Sequence, residues 1–389
     1  MKRFISIFIA LALILSLAFG CTQAGTQEPQ PPPQQENNPE STPLPGQTSP
    51  PVNLSIISTV FPQYDWVRQV LGSNSDNMDL TLLINNRIDL HNYQPSVNDI
   101  VTISTCDIFI YVGGESDSWV DDVLSQATNP DMVVLNLLEL LGDAVKYEEI
   151  IEGMDHDDHD HDDDHDDHDD HNHDDHDDDH DDHDDHDDHD DEHDDDHDDG
   201  YDDHDGEHLH EELDEHVWLS LRNAVVFASA IADSISALDP DNAALYRDNL
   251  NAYITKLAAL DDEFKTVVEA ASVKTLLFAD RFPFRYLVDD YGLDYYAAFS
   301  GCSAETEASF STVIFLASKI DELSLRNVMV TESADQTIAN TVINSTETGS
   351  QQILVLDSMQ SANSGDWQNG VTFLSIMEEN LSILREALN

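Results

Sequence analysis

The stretch LSIISTVFPQYDWVRQVLG, residues 54–72, sets the pattern that the rest of the chain repeats. Residues 54–60 are mostly apolar and predict a buried strand, and the residues up to Gly72 space their apolar side chains as a helix does. Further apolar strands with helical patterns between them are predicted at residues 80–84, 108–112 and 132–136. Because strands that alternate with helices form parallel sheets covered on both faces, these residues predict an α/β domain.

The second half of the chain repeats the alternation and predicts a second domain of the same type. A helical pattern over residues 242–270 separates the halves and would span roughly 40 Å at about 1.5 Å per residue. After it, strands are predicted at residues 275–278, 293–298, 327–331 and 352–356, and an amphipathic helix at residues 371–388. With residues 1–51 and 155–212 set aside, about 280 residues remain, which is more than one core usually spans. We therefore predict two domains joined by the long helix.

Residues 155–212 form a His/Asp-rich tract in which the triplet HDD recurs. The tract holds 17 of the 19 histidines and 36 acids, has no lysine or arginine, and is nearly free of apolar residues. Since no face of it could be buried and a period of three fits neither helix nor strand, we predict that it is disordered. Imidazoles and carboxylates on such a chain offer many weak metal sites, so metal capture is the favoured role, with zinc ahead of calcium. An acidic solvating segment is the alternative.

The N-terminus has the layout of a secretory signal. Lys2 and Arg3 precede an apolar run over residues 4–20, which is short for a membrane span, and Cys21 follows. The small residues before Cys21 resemble a bacterial lipobox, so this cysteine is predicted to carry a lipid anchor; a cleaved signal with an incidental cysteine is the alternative. Residues 22–51 contain 9 of the 14 prolines and predict an extended tether.

The two other cysteines are Cys106 and Cys302. An exported protein could pair them, but one candidate pair is no disulfide framework. We therefore expect two free thiols.

Two histidines and three acids outside the tract are candidate metal ligands. His91 lies in a loop between a predicted strand and a predicted helix, and His216 lies in the segment DEHVWLS ahead of another helix. Ligand residues of α/β domains belong in such loops, at the ends of strands. The acids that follow predicted strands of the second domain are Asp280, Glu332 and Asp357. Acids on one edge that face two loop histidines predict a metal site between the domains.

Several segments resemble the metal-binding component of ABC importers for zinc and manganese, namely LHNYQPSVNDI, DEHVWLS, LDPDNAALYRDNLNAYITKLAALD, VMVTES, ILVLDSM and FLSIMEENLSILREAL. The resemblance covers about residues 54–388. It implies two Rossmann-like lobes joined by one backbone helix, with the metal in the cleft between them. Carried over by position, it makes His91 and His216 ligands of the first lobe and Asp357 a ligand of the second. An acid-and-histidine insert at this place is typical of the zinc-selective members.

One position departs from the pattern of that family, which usually offers a histidine or glutamate after the first strand of the second lobe. Here FADRFPFRYL stands there, and Arg281 or Ala279 falls in the ligand position, depending on the point from which it is counted. Neither binds a metal, because arginine keeps its proton and alanine has no donor; Arg281 is expected to pair with a neighbouring acid. The candidates to fill the gap are Asp280, then Glu305 and Glu307, a tract histidine or a water.

The predicted organisation has five parts. These are a signal peptide at 1–20, a lipidated cysteine with its tether at 21–51, an N-terminal lobe at 52–240 that includes the tract, a linking helix at 241–270, and a C-terminal lobe at 271–389.

The sequence predicts a lipid-anchored extracytoplasmic protein that captures a divalent transition metal, zinc (Zn²⁺) before manganese (Mn²⁺), and delivers it to the permease of an ABC importer. A monomer is expected. A metal buffer or adhesin at the cell surface is the alternative, and a zinc hydrolase is disfavoured because HExxH is missing. Outside the tract the formal charge of −66 falls to −30, since 45 acids and all 15 bases lie there, so nucleic acid is not an expected partner.

Overall fold

The computed structural model describes residues 52–85, 88–154, 212–303 and 307–389. Several predictions fall outside the described residues. They concern the signal peptide (1–20), Cys21 with its tether (21–51), the tract at 155–211 and Glu305.

The first lobe is built on a parallel sheet of four strands in the order β2-β1-β3-β4. The strands are β1 (Ser55–Ser58), β2 (Asp79–Leu82), β3 (Ile108–Tyr111) and β4 (Val133–Asn136). Every residue of β3 is buried, as expected of a strand that has helices on both faces. Four helices accompany the sheet: α1 (Phe61–Leu71), α2 (Val97–Thr105), α3 (Val120–Leu124) and α4 (Leu137–Leu141).

The second lobe repeats the arrangement with a parallel sheet in the order β6-β5-β7-β8. Its strands are β5 (Thr275–Phe282), β6 (Asp294–Ser300), β7 (Asn327–Thr331) and β8 (Gln352–Leu356). The helices of this half are α7 (Arg285–Tyr291), α8 (Phe310–Leu323), α9 (Thr337–Ser345), α10 (Ser364–Gln368) and α11 (Phe373–Ala387). The helices α5 (Leu221–Leu238) and α6 (Ala243–Ala270) come before them in the chain.

Two long helices lie between the sheets, α5 (Leu221–Leu238) and α6 (Ala243–Ala270). In α5 the buried residues recur at helical spacing, so this helix packs one apolar stripe into the core. In the described part of the chain it alone is long and apolar enough to cross a membrane. With 28 residues, α6 is about 42 Å long and contacts α1, α5, α7 and α11. The prediction of two parallel-sheet lobes joined by one long helix is confirmed.

The C-terminal helix ties the second half of the chain back to the first lobe. It packs against α6, β8 and also α1. The backbone N–H of Phe373, at its start, donates to Oδ2 of the fully buried Asp65 in α1 over 3.1 Å. This bond stabilises the contact between α11 and α1.

The chain segments on either side of the tract pair with each other. Tyr147 and Leu213 form an antiparallel bridge, flanked by a bond of 2.8 Å from Glu148 N–H to the carbonyl of Glu212. A second flanking bond, of 2.9 Å, runs from Asp214 N–H to the carbonyl of Lys146. The segment that begins eight residues before the tract is therefore paired with the segment that follows it, close to His216 in the chain.

The strand β5 is longer than predicted, which is the main correction to the element boundaries. The sequence predicts its end at residue 278, but pairing with β6 resumes after an irregularity, with Arg281 opposite Phe299 and Phe282 opposite Ser300. Asp280 and Arg281 therefore lie within the strand and not beyond it. Charged residues are tolerated there because each side chain has a partner, Thr331 for Asp280 and Asp89 for Arg281.

Candidate metal centre

His91 is held by the acid two residues before it. It lies in a single 3-10 turn, Leu90–Asn92, and Oδ1 of Asp89 accepts its backbone N–H over 3.1 Å. The same oxygen lies 3.4 Å from Nδ1 of the ring. Neither ring nitrogen has a hydrogen-bond partner among the described residues, and both are buried. An imidazole fixed in this way and left unpaired is suited to receive a ligand.

His216 repeats the arrangement on a second loop. Oδ1 of Asp214 accepts its backbone N–H over 2.8 Å and lies 3.1 Å from its Nδ1, and the ring is fully buried. Both loops thus share the pattern Asp-X-His, in which one carboxylate sets the turn and faces the ring. The sequence analysis missed this shared spacing, which is visible as DLH and DEH.

The two rings face each other with centroids 5.3 Å apart and planes inclined by 38°. Since Asp89 and Asp214 lie beside Nδ1 of their rings, the nitrogen free to bind a metal is Nε2 in each. Nε2 of His216 lies 2.6 Å from the side-chain nitrogen of Gln360, so a metal at this atom would replace that contact.

Cys302 joins the two histidines, and sequence reasoning missed it. Its Sγ and one ring nitrogen of each histidine lie within 4.8 Å of one another. The cysteine follows β6, and its backbone N–H donates to Oε1 of Glu148 over 2.7 Å. A Cβ on the preceding Gly301 would lie 3.1 Å from Cε1 of His216, so the loop approaches the ring this closely because residue 301 has no side chain. Both Cys302 and Cys106 are free thiols, as expected.

Arg281 occupies one of the two positions where the resemblance expects a ligand, and it binds an acid instead. Its Nη1 lies 2.8 Å from Oδ2 of Asp89. The expected ion pair is therefore present, and it connects β5 of the second lobe to the His91 loop of the first.

The acids predicted from strand ends have other partners. Oδ2 of Asp280 accepts from the backbone N–H of Thr331 over 2.8 Å and also from its hydroxyl, which couples β5 to β7. Oδ1 of Asp357 accepts from Met359 N–H over 2.7 Å. Glu332 accepts from Ser358 N–H over 2.8 Å and from its hydroxyl.

Among the described residues, the group of potential ligands that lie within 4.8 Å of one another contains none of the predicted acids. Their assignment as ligands, for Asp280 and Asp357, stays a prediction. Glu307 is exposed, and its assignment is a prediction as well.

The surroundings of the two imidazoles shift their pKa values in opposite directions. Burial and the neighbouring His216 lower the pKa of His91 to about 4. Burial alone would lower the pKa of His216 too, but the hydrogen bond and charge of Asp214, with Glu148 and Glu215, outweigh it and the pKa is raised. The raised pKa makes a proton compete with a metal at His216, because a ligand imidazole is neutral. The surrounding acids also favour a bound cation.

Two nitrogens and one sulfur within reach of one another suit a transition metal of the zinc type better than a hard cation such as magnesium or calcium. Two α/β lobes on a common helix, with these donors meeting between them, define a two-lobed solute-binding protein with a candidate metal centre. The chain belongs to the ZnuA family, zinc-uptake complex component A, periplasmic, whose profile matches residues 56–387. The resemblance found in the sequence is confirmed.

Individual relatives agree with this membership. The chain is 28% identical over 333 residues to the zinc-binding lipoprotein AdcA of Streptococcus pneumoniae, which covers 86% of this chain and 55% of the relative. It is 26% identical over 335 residues to the high-affinity zinc uptake system protein ZnuA of Bacillus subtilis, covering 86% and 88%. The chain spans about half the length of the AdcA relatives that it matches.

A solved structure is similar as well. The Zn(II)-bound ZnuA-like domain of Streptococcus pneumoniae AdcA matches with a TM-score of 0.59 and 25% identity, over 87% of this chain and 99% of that domain.

Proposed function

We propose that this protein captures zinc outside the cytoplasm and delivers it to the permease of an ABC importer. The observation that carries the proposal is the pair of imidazoles, His216 buried and His91 largely so, each with an aspartate beside its Nδ1 and facing the other across 5.3 Å. Zinc ligation by histidine commonly uses such a carboxylate behind the ring. The names of the similar proteins, a zinc-binding lipoprotein and a zinc uptake protein, support the same cargo.

In the proposed site His91 and His216 bind zinc through Nε2. Asp357 and Asp280 are the candidate carboxylate ligands of the second lobe. Since Oδ2 of Asp280 accepts both bonds from Thr331, its candidate ligand atom is Oδ1. Burial and the charge of Glu332 raise the pKa of Asp357 to about 7, so this carboxyl would lose a proton when it binds. Manganese remains the competing cargo for a site completed by carboxylates.

We propose further that Cys21 anchors a monomeric chain to the outer face of the cell membrane and that residues 22–51 hold the lobes away from the surface. The lipobox-like layout supports this, as does the word lipoprotein in the name of the pneumococcal relative. Cell fractionation of a Cys21→Ser variant tests it. The anchor hypothesis fails if the variant stays in the membrane fraction as firmly as the parent.

The tract should add metals and speed of capture rather than affinity, because its repeated imidazoles and carboxylates predict many weak sites. The tract-free protein joins Met154 to Glu212 by a flexible Gly-Ser linker, and the antiparallel bridge between Tyr147 and Leu213 pairs the segments on either side of the deletion.

Zinc titration against a chromophoric chelator should then give one bound zinc per tract-free chain and several per full chain. The tightest dissociation constants of the two proteins should agree within about tenfold. A tract-free protein that is folded by circular dichroism and has no tight site would show that a tract histidine completes the coordination shell, and would overturn a cleft that binds zinc on its own. Equal affinity for manganese would overturn the choice of zinc.

A further inference from the structure

We propose that Cys302 is the metal ligand contributed by the second lobe, and that its thiolate replaces the family ligand lost where Arg281 stands. This inference rests on the proposed function, since it completes the same site. It concerns a side chain that neither the motifs nor the strand ends indicated.

The distances allow one ion to bind all three side chains. With bonds of about 2.1 Å to nitrogen and about 2.3 Å to sulfur, two ligand atoms on a tetrahedral zinc lie roughly 3.3–3.6 Å apart. The ligand atoms of His91, His216 and Cys302 already lie within 4.8 Å of one another. Movements of about an ångström, within the range of a side-chain adjustment, bring them into one coordination shell.

The position of Cys302 is fixed from both lobes. Glu148, beside the tract on the first lobe, accepts the backbone N–H of Cys302 over 2.7 Å. Gly301 lets the loop pass against the ring of His216, where a Cβ would come within 3.1 Å of Cε1 and 3.0 Å of the carbonyl oxygen of Phe282. The thiol therefore meets the imidazoles because the loop is held there by two separate contacts.

Arg281 cannot supply this ligand, but it explains why one is needed from elsewhere. Its guanidinium keeps its proton and is engaged with Asp89 over 2.8 Å. The ion pair connects β5 to the His91 loop but offers the metal no lone pair. The Cys302 sulfur has a lone pair and lies beside both imidazoles.

The chemistry of the step is a proton exchange. As the zinc–sulfur bond forms, the S–H bond of Cys302 breaks and its proton passes to water, with no change of oxidation state. A His₂Cys donor set also separates the two candidate cargoes, because thiolate favours zinc and manganese prefers oxygen ligands.

Cobalt tests the proposal in the full chain, because the tract contains no cysteine and cannot produce a thiolate signal. With Cys21→Ala as background, the first equivalent of Co²⁺ should give near-ultraviolet sulfur-to-cobalt charge-transfer absorption. Cys302→Ser should abolish that absorption. Cys106→Ala, in a buried core position of the first lobe, is the matched control and should retain it.

Absorption that survives Cys302→Ser, or that is missing from the parent, overturns the assignment of Cys302. If the tract-free protein still binds one zinc tightly in that case, the proposed function stands and only the thiol is wrong. If it binds none, the proposed function fails as well.

A rescue variant guards against simple misfolding. In the tract-free protein, Cys302→Ser should weaken zinc binding by tenfold or more, by analogy with the losses of about 10–100-fold seen when a metal site loses a supporting group. Adding Arg281→His restores a ligand at the family position and should recover at least part of that loss. A double variant that is folded and no tighter than Cys302→Ser would contradict the idea that the thiol replaces the ligand missing at residue 281.

Discussion

The two lobes contribute to the cleft in different ways. The first lobe presents two loops of the same design, in which an aspartate two residues before the histidine bonds the backbone and faces the ring. The described residues of the second lobe include no such loop at this place; this lobe brings Arg281 to the first lobe as an ion pair and Cys302 as a thiol. The contrast teaches that half of this site is encoded locally, in five or six residues, and half by contacts between distant parts of the chain.

Removal of either histidine should have the largest effect, because it takes a ligand from the preformed half of the site. In the tract-free protein, His91→Ala and His216→Ala should each weaken zinc binding more than about 100-fold, or roughly 2.7 kcal/mol. Chelator competition measures this. Asn92→Ala, an exposed neighbour of His91, should bind zinc as the parent does. Unchanged affinity in both histidine variants would refute the shared site.

The aspartates behind the rings should have a smaller effect. Asp89→Asn and Asp214→Asn keep an acceptor for the backbone but remove the charge that orients and polarises the imidazole, so we expect losses of about 10-fold or more in zinc affinity. Asp89→Asn also removes the charge partner of Arg281, and should therefore cost more than Asp214→Asn. The control is Asp294→Asn, exposed at the start of β6. Equal and negligible losses would show that the two Asp-X-His loops serve folding alone.

The fold was largely predictable because most strands are continuous apolar runs. The strands at residues 327–331 and 352–356 have the predicted bounds. The exception is β5, where Asp280 and Arg281 interrupt the apolar run, and their partners Thr331 and Asp89 come from distant segments. A prediction from local hydrophobicity ends the strand at residue 278, because those partners lie far away in the sequence.

The candidate metal site could be predicted from the sequence only in part. His91 and His216 are predictable because each stands in a loop next to a helix start. Cys302 is not, since its position depends on Glu148, 154 residues earlier in the chain, and on the approach of Gly301 to His216. The cue for the Asp-X-His pattern was present in the sequence and could have been used.

The last effect that we predict is on stability rather than on zinc affinity, and it concerns Asp65 at the joint between the lobes. Burial, only partly offset by bonds from Gln69 and Phe373, raises the pKa of Asp65 to about 6. The folded state therefore holds a proton that the unfolded chain, with a pKa near about 3.9, has lost, and the contribution to stability falls as pH rises from about 4 to about 6. Asp65→Asn should remove that decline, so its stability relative to the parent should rise by roughly 2 kcal/mol between pH 4 and pH 7.

Urea unfolding at the two pH values measures this difference. Asp233→Asn, on the exposed side of α5, is the control and should show little change with pH. A difference between Asp65→Asn and the parent that does not vary with pH would contradict the raised pKa.

The central claim, that one zinc binds between the two lobes through unlike donors, is tested most directly by anomalous diffraction at the zinc edge from crystals of the tract-free protein loaded with one equivalent of zinc. The account predicts a single strong peak within about 2.0–2.4 Å of Nε2 of His91, Nε2 of His216 and Sγ of Cys302. A peak bound by the histidines and by Asp357 or Asp280 without the sulfur would remove Cys302 from the site. A peak that touches neither histidine would contradict the account as a whole.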